Sequence, residues 1–333
     1  MDKRTQERHL FLTKNGLGEW DIANLAGDAS PRKYYRLSSG PKTAVLMDAP
    51  INSCGSLEPF IRISEYLTDH GFTAPKIIAR DLSRGFLLLE DLGDNLFSSL
   101  LMNNPEMEME IYLVALDILI ALREKALPAN IPAYTPKIQG ELATLSLTWY
   151  AQNILEDEIP KKDVNYLTTL VSDAIADLNE KQVFVHRDYH AENLLWLPER
   201  TGLKKIGIID FQDGSSGQTS YDLVSLVEDA RRDISEQLKD KLLKRYAKLT
   251  GDSLSAVEKG VAISGIQRNL RIIGIFARLA IRDSKNWYVD YIPRVWNYLM
   301  SDLEVAKKGD LTSFVMNTLP RPSLDNLARL RSR

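Results

Sequence analysis

The sequence predicts an α+β chain of two lobes: a small antiparallel β lobe with one embedded helix, residues 1–92, and a larger, mainly helical lobe, residues 93–333. Strand-length segments bounded by turn residues are concentrated before residue 92, long stretches of helical periodicity dominate after it, and the change falls at Leu92-Gly93-Asp94.

In chain order, an amphipathic segment at 3–15 caps the first lobe, and strands are expected at 21–25, 34–37 and 43–47. Ser38-Ser39-Gly40-Pro41 separates the last two as a hairpin requires. From 56 to 70 the apolar residues Leu57, Phe60, Ile61, Ile63, Tyr66 and Leu67 recur at helical spacing, and Gly71 supplies the stop. Strands at 76–79 and 86–90 complete the lobe. Three strands, a helix and two strands match the small lobe of a protein-kinase-like fold. Beyond the hinge, helices are expected at 105–127, 137–156, 162–180, 221–232, 235–250, 254–282 and 288–306, with short strands at 183–188, 193–197 and 204–209. The tail after Gly309, with Pro320-Arg321-Pro322, reads as irregular apart from a last helical turn.

The chain has 333 residues, 44% hydrophobic and 26% charged, the composition of an ordinary globular protein. A formal charge of -3 argues against broad attraction to nucleic acid or an anionic membrane. One cysteine, Cys54, allows no internal disulfide. No secretory signal and no apolar run near the roughly 20 residues of a membrane helix are visible, so a cytoplasmic protein is expected. Oligomeric state is left open.

The chemistry concentrates in Val183-Phe184-Val185-His186-Arg187-Asp188-Tyr189-His190-Ala191-Glu192-Asn193 and in Ile206-Gly207-Ile208-Ile209-Asp210-Phe211. An aspartate in a loop after an apolar strand, an asparagine five positions on and a second aspartate closing another strand form the set that phosphoryl transfer from a nucleotide needs. Asp188 is the candidate general base. Asn193 and Asp210 offer oxygen donors suited to magnesium rather than zinc. Pro198-Glu199-Arg200-Thr201-Gly202 supplies a turn between them. His186 and His190 read as braces of the loop, and Asp213 as a structural or supporting carboxylate.

His-x-Asp-x-His-x-x-Asn at 186–193, Ile208-Ile209-Asp210-Phe211 and Tyr221-Asp222-Leu223 together resemble the aminoglycoside phosphotransferase/choline kinase superfamily. Gly27-Asp28-Ala29-Ser30, Val45-Leu46-Met47-Asp48-Ala49-Pro50, the stretch from Gly85 to Gly93, Gln267-Arg268-Asn269-Leu270 and Ile292-Pro293-Arg294-Val295-Trp296 are similar to one branch, the bacterial anomeric kinases for N-acetylmuramate and N-acetylglucosamine. The resemblance runs from about residue 20 to 305. It implies ATP and Mg2+ as cofactors, an amino-sugar acceptor, a sugar 1-phosphate product for cell-wall recycling, and Asp222 as the residue that helps hold the catalytic loop. Gly27, Asp28, Ala29, Ser30 and Arg32 would contact phosphate, and Glu90 and Leu92 would meet the adenine through main chain.

Two departures stand out. Strand three reads Thr43-Ala44-Val45-Leu46-Met47-Asp48, without the lysine that holds the α- and β-phosphates in kinases. Either a cation from 32–36 replaces it, or nucleotide affinity is reduced, or activity is lost, and the intact Asp188, Asn193 and Asp210 disfavour the last. Arg187 stands where small-molecule kinases of the superfamily commonly have glycine. With Asp222 only twelve positions after Asp210, it reads as a local brace rather than a sensor of a phosphorylated loop. For the acceptor, Gln267, Arg268, Arg271 and Arg278 lie on one long helical pattern, and buried arginines must find carboxylates or ligand oxygens. The arginine-rich pattern favours a neutral or anionic sugar over a cationic acceptor such as an aminoglycoside, choline or thiamine. A silent nucleotide-binding pseudokinase is the third alternative.

Overall fold

The structure is a computed structural model and describes residues 2–25 and 31–332. Contacts group the chain into two compact units, Met1–Ile118 with Glu192–Gly214, and Leu119–Ala191 with Ser215–Arg333. This grouping by packing places 93–118 and 192–214 with the N-terminal strands, whereas the sequence division at Leu92 assigns them to the second lobe.

The N-terminal unit holds α1 (Lys3–Lys14), β1 (Asp21–Leu25), β2 (Lys33–Ser39), β3 (Lys42–Asp48), α2 (Ile51–Cys54), α3 (Glu58–Asp69), β4 (Ile77–Asp81), β5 (Phe86–Leu89), α4 (Phe97–Asn103) and most of α5 (Glu108–Arg123). Its sheet runs β1-β2-β3-β5-β4, all antiparallel. Alternation divides the strands. Leu37, Ala44, Leu46, Phe86 and Leu88 face Phe11, Leu12 and Leu17 of the α1 region, and Phe11 stacks on Phe86 at 5.5 Å. The opposite side carries Tyr34 and Arg36, which pair in register with Met47 and Val45. Asp48, 2% exposed at the end of β3, is held by Arg4 at 2.5 Å.

The helical unit contains α6 (Pro136–Ala143), a π-helical turn (Ser146–Ala151), α7 (Gln152–Leu155), α8 (Lys161–Ala176), β6 (Gln182–Val185), and, after the inserted hairpin, β9 (Ser215–Gln218). It continues with α9 (Ser220–Val227), α10 (Glu236–Thr250), α11 (Leu254–Asp283), α12 (Ile292–Ala306), α13 (Gly309–Thr318) and α14 (Leu324–Arg331). The inserted hairpin is β7 (Leu194–Trp196) with β8 (Ile206–Ile208), and it packs within the first unit.

Helix α11 is the axis of the second core. Its residues 260–280 are buried on nearly every side, as expected of a helix with apolar residues all round. Two glycines let neighbours approach its backbone: a Cβ at Gly265 would lie 2.1 Å from Asp302, and one at Gly274 would lie 2.2 Å from the main chain of Leu145. The tail departs from expectation. Residues 309–331 form two helices on either side of Pro320-Arg321-Pro322, because Leu311, Val315, Leu327 and Leu330 each find the same core. The expected helix at 137–156 is broken into α6, the π turn and α7. No helix among the described residues is long and apolar enough to cross a membrane.

Candidate active site

In the helical unit, β6 pairs with β9 and delivers the chain to His186. Asp222, at the start of α9 and 3% exposed, accepts from the N–H of His186 at 2.5 Å and of Arg187 at 2.9 Å. One buried carboxylate thus fixes two consecutive peptides just before Asp188. Burial pushes its pKa up to about 6 against the opposing pull of His186. Arg187 has φ 77°, in the left-handed region that glycine occupies without penalty. Its guanidinium lies 4.5 Å over the Tyr134 ring. A cation–π contact of about 0.5–2 kcal/mol offsets a backbone cost of similar size.

Asp188 donates its N–H to His186 Nδ1 at 3.2 Å, and its side chain is 39% exposed. Arg271 Nη2 lies 3.5 Å from Asp188 Oδ1. Burial raises the Asp188 pKa, but Arg271, then His190, His186 and Arg268, outweigh it and bring the pKa to about 2. The carboxylate is therefore ionised at any physiological pH. His190 is 7% exposed, and burial brings its pKa down to about 4, so it stands neutral beside the loop. Ala191 N–H donates to Asp229 Oδ2 at 3.2 Å, which ties down the far end.

The α11 residues fall into two groups. Gln267 is fully buried and donates to Gln139 O at 2.9 Å, while Arg268, 2% exposed, donates to Glu228 O at 2.8 Å. Both thus hold main-chain carbonyls within the packed interior. Arg271 links Asp188 to the Tyr221 hydroxyl at 2.8 Å, and Tyr221 meets Tyr134. Arg278 is part-buried with no hydrogen-bond partner for its Nε.

In the N-terminal unit, Leu194 opposes Ile208 on the hairpin, and Ile209 N–H donates to Asn193 O at 3.1 Å. Asn193 and Asp210 therefore emerge from the same end of one hairpin. Asp210 has φ 59°, accepts from Gln212 Nε2 at 2.9 Å, and is followed by Phe211, whose ring meets Phe60 of α3 at 4.8 Å. An amide oxygen and a carboxylate offered from one hairpin end are hard donors of the kind that fit magnesium, which takes few protein ligands and keeps water and phosphate oxygens. Among the described residues no three or more His, Cys, Asp or Glu side chains cluster as a multi-ligand metal cage would require.

Gly27, Asp28, Ala29 and Ser30 lie outside the described residues. Arg32 and Asp210 both act on Tyr34, whose pKa burial pushes up to about 12. Arg36 is held at 2.8 Å from Asp91 and 2.7 Å from Asp94. Of the cations at 32–36 considered for the absent lysine, Arg36 is thus already neutralised, and Met47, fully buried, faces the side of the sheet that carries Tyr34. Glu90 N–H donates to Lys76 O and its carboxylate pairs with Arg200 at 2.7 Å. Leu92 packs on Leu195 and Leu197, and Gly207 makes room for it. The roles of Tyr134 and of the π turn had no sequence signal, whereas Tyr221 was visible within the Tyr221-Asp222-Leu223 motif and Asp229 as a plausible carboxylate partner for the α11 arginines, though it accepts from Ala191 N–H.

The sequence profile of the phosphotransferase enzyme family matches residues 21–257. An N-acetylmuramate/N-acetylglucosamine kinase of Caulobacter vibrioides is 33% identical over 341 residues, covering 89% of this chain and 92% of that one. A kinase of the same name from Pseudomonas aeruginosa is 33% identical, with 91% of each chain covered. Among solved structures, a choline/ethanolamine kinase family protein from Mesorhizobium loti superposes with a TM-score of 0.63 at 14% identity over 99% of this chain and 100% of that one. The ADP-bound aminoglycoside phosphotransferase APH(2'')-Ib superposes with a TM-score of 0.61 at 15% identity, over 92% and 99%. The fold is the protein-kinase-like one expected from the order of elements.

Proposed function

From its place in the phosphotransferase enzyme family, to which this chain belongs as a kinase with an alcohol acceptor, we propose that it is an ATP- and Mg2+-dependent sugar kinase acting on the anomeric hydroxyl of N-acetylmuramate or N-acetylglucosamine. The observation that carries the acceptor is the match to kinases of that name across about nine-tenths of both chains. The product would be the sugar 1-phosphate, and the setting cytoplasmic recycling of cell-wall sugars.

Asp188 orients the acceptor hydroxyl and receives its proton. In a loose transition state that proton moves late, so an aspartate held near pKa 2 is strong enough to orient and need not be a strong base. Asp222, His186, Arg187 and His190 hold the loop that presents it. Asn193 and Asp210 would hold magnesium, which when bound neutralises phosphate charge. The division at Leu92 is kept as a functional one: residues 1–92 carry the nucleotide, through Gly27, Asp28, Ala29, Ser30 and Arg32 at the phosphates and through Glu90 and Leu92 at the adenine. Gln267 and Arg268 brace the acceptor region, while Arg271 and Arg278 face it.

Incubation of the purified protein with ATP, Mg2+ and each sugar, followed by phosphorus NMR, should give a sugar 1-phosphate, and Asp188→Ala should abolish it. No ATP consumption with any amino sugar, or full turnover in that variant, would sink the proposal. The absence of a lysine from strand three, Thr43 to Asp48, favours one rival, a nucleotide-binding protein without turnover. Nucleotide-induced thermal stabilisation without sugar phosphate would support it.

A further inference from the structure

Helix α11 carries Arg271 against Asp188 and, further along the same face, Arg278, and only the first of these two is engaged. Arg271 donates to Tyr221 and lies against Asp188. Arg278 follows seven residues later, almost two full turns, so it shares that face roughly 10.5 Å further along the axis. Helical side chains lean toward the N-terminus, which inclines Arg278 back towards Arg271. The two guanidinium groups act on one another. Between them, Gly274 seats α11 on the main chain of Leu145, next to the π turn at Ser146–Ala151. The backbone under both arginines is thereby fixed.

Arg278 is part-buried, and its Nε is closed off from solvent without a partner. Among the described residues no carboxylate forms an ion pair with it. Asp283 acts on it electrostatically but is gripped by Arg282 through contacts of 2.7 and 2.8 Å. Burial, Arg282 and Arg271 all disfavour its charge. A half-desolvated guanidinium with a like charge beside it is completed by an anion, and its planar fork matches a carboxylate.

We propose that Arg278, with Arg271 beside it, forms the subsite that reads a carboxylate on the acceptor, so that the enzyme favours an acidic amino sugar over its neutral counterpart. The proposal rests on the amino-sugar function above. With the reacting hydroxyl at Asp188, which Arg271 touches, a carboxylate on a substituent of the same hexose ring would extend along α11 from Arg271 toward Arg278. A neutral sugar leaves that cation uncompensated.

The test compares kcat and KM for N-acetylmuramate and N-acetylglucosamine in the wild type, Arg278→Gln and Arg278→Lys. In Arg278→Gln the ratio of kcat/KM for the acidic over the neutral sugar should fall about 10–100-fold, mainly through the KM of the acidic sugar. Arg278→Lys, which keeps the charge without the fork, should recover part of the ratio. A merely structural role would lower both sugars together, and an unchanged ratio in Arg278→Gln with both sugars turned over would overturn the subsite alone. A wild type that phosphorylates neither sugar would overturn the amino-sugar function and this subsite with it.

Discussion

Arg271→Met removes the charge beside Asp188 while keeping most of the side chain's length. At 3.5 Å the Coulomb energy of the pair is about 5 kcal/mol with an effective dielectric near 20. The Asp188 side chain is 39% exposed, so solvent screening brings the effective interaction to about 1–2 kcal/mol. That corresponds to a rise of roughly one pH unit in the Asp188 pKa, from about 2. The carboxylate therefore stays ionised at neutral pH, and the loss must come from orientation rather than charge. In a coupled assay of ADP release at pH 7.5, kcat should fall about 10–100-fold with the nucleotide KM little changed. Raising the pH from 7 to 9 should restore nothing, while Arg271→Lys should recover part of the rate. A kcat within twofold of wild type, or a recovery titrating near pH 7, would refute the reasoning.

Two further outcomes concern stability. His190, held near pKa 4 by burial, stays neutral in the folded state while the unfolded chain takes up a proton below about 6.5. Its contribution is thus full above pH 6.5 and is lost as pH falls toward 4, by at most about 3 kcal/mol. Urea unfolding at pH 7 and pH 5 should show a smaller acid-induced loss in His190→Gln than in wild type, and an identical loss in both would exclude this. Gly274→Ala places a Cβ 2.2 Å from the Leu145 main chain, so α11 must move away from the π turn. A cost of about 1–3 kcal/mol and a Tm lower by several degrees are expected by calorimetry, and an unchanged Tm would mean that the contact yields freely.

The parts of the fold that were legible are those whose local chemistry agrees with their tertiary use. Alternation in β2 and β3, the periodicity of α3 and the apolar length of α11 all reflect burial that the chain encodes residue by residue. The strand β9, Ser215–Gln218, carries no such signal, since a run of serine, glycine and glutamine becomes a strand only by pairing with β6. The tail helices were missed for a similar reason: prolines marked a break but could not tell that leucines on both sides reach one core.

At the candidate site, the sequence by itself determined the chemical groups: Asp188, Asn193 and Asp210, their spacing, the carboxylate at Asp222 and the arginines of α11. Tertiary structure decided their states. It gave one Asp222 carboxylate two peptide N–H donors, put Arg271 against Asp188, engaged Arg36 with Asp91 and Asp94, and, among the described residues, left Arg278 Nε without a hydrogen-bond partner. Residue type sets which charge a group can carry, and spacing sets only its local neighbours. Which charge meets it, and how dry that meeting is, depends on segments far apart in the chain, as when position 271 packs against position 188.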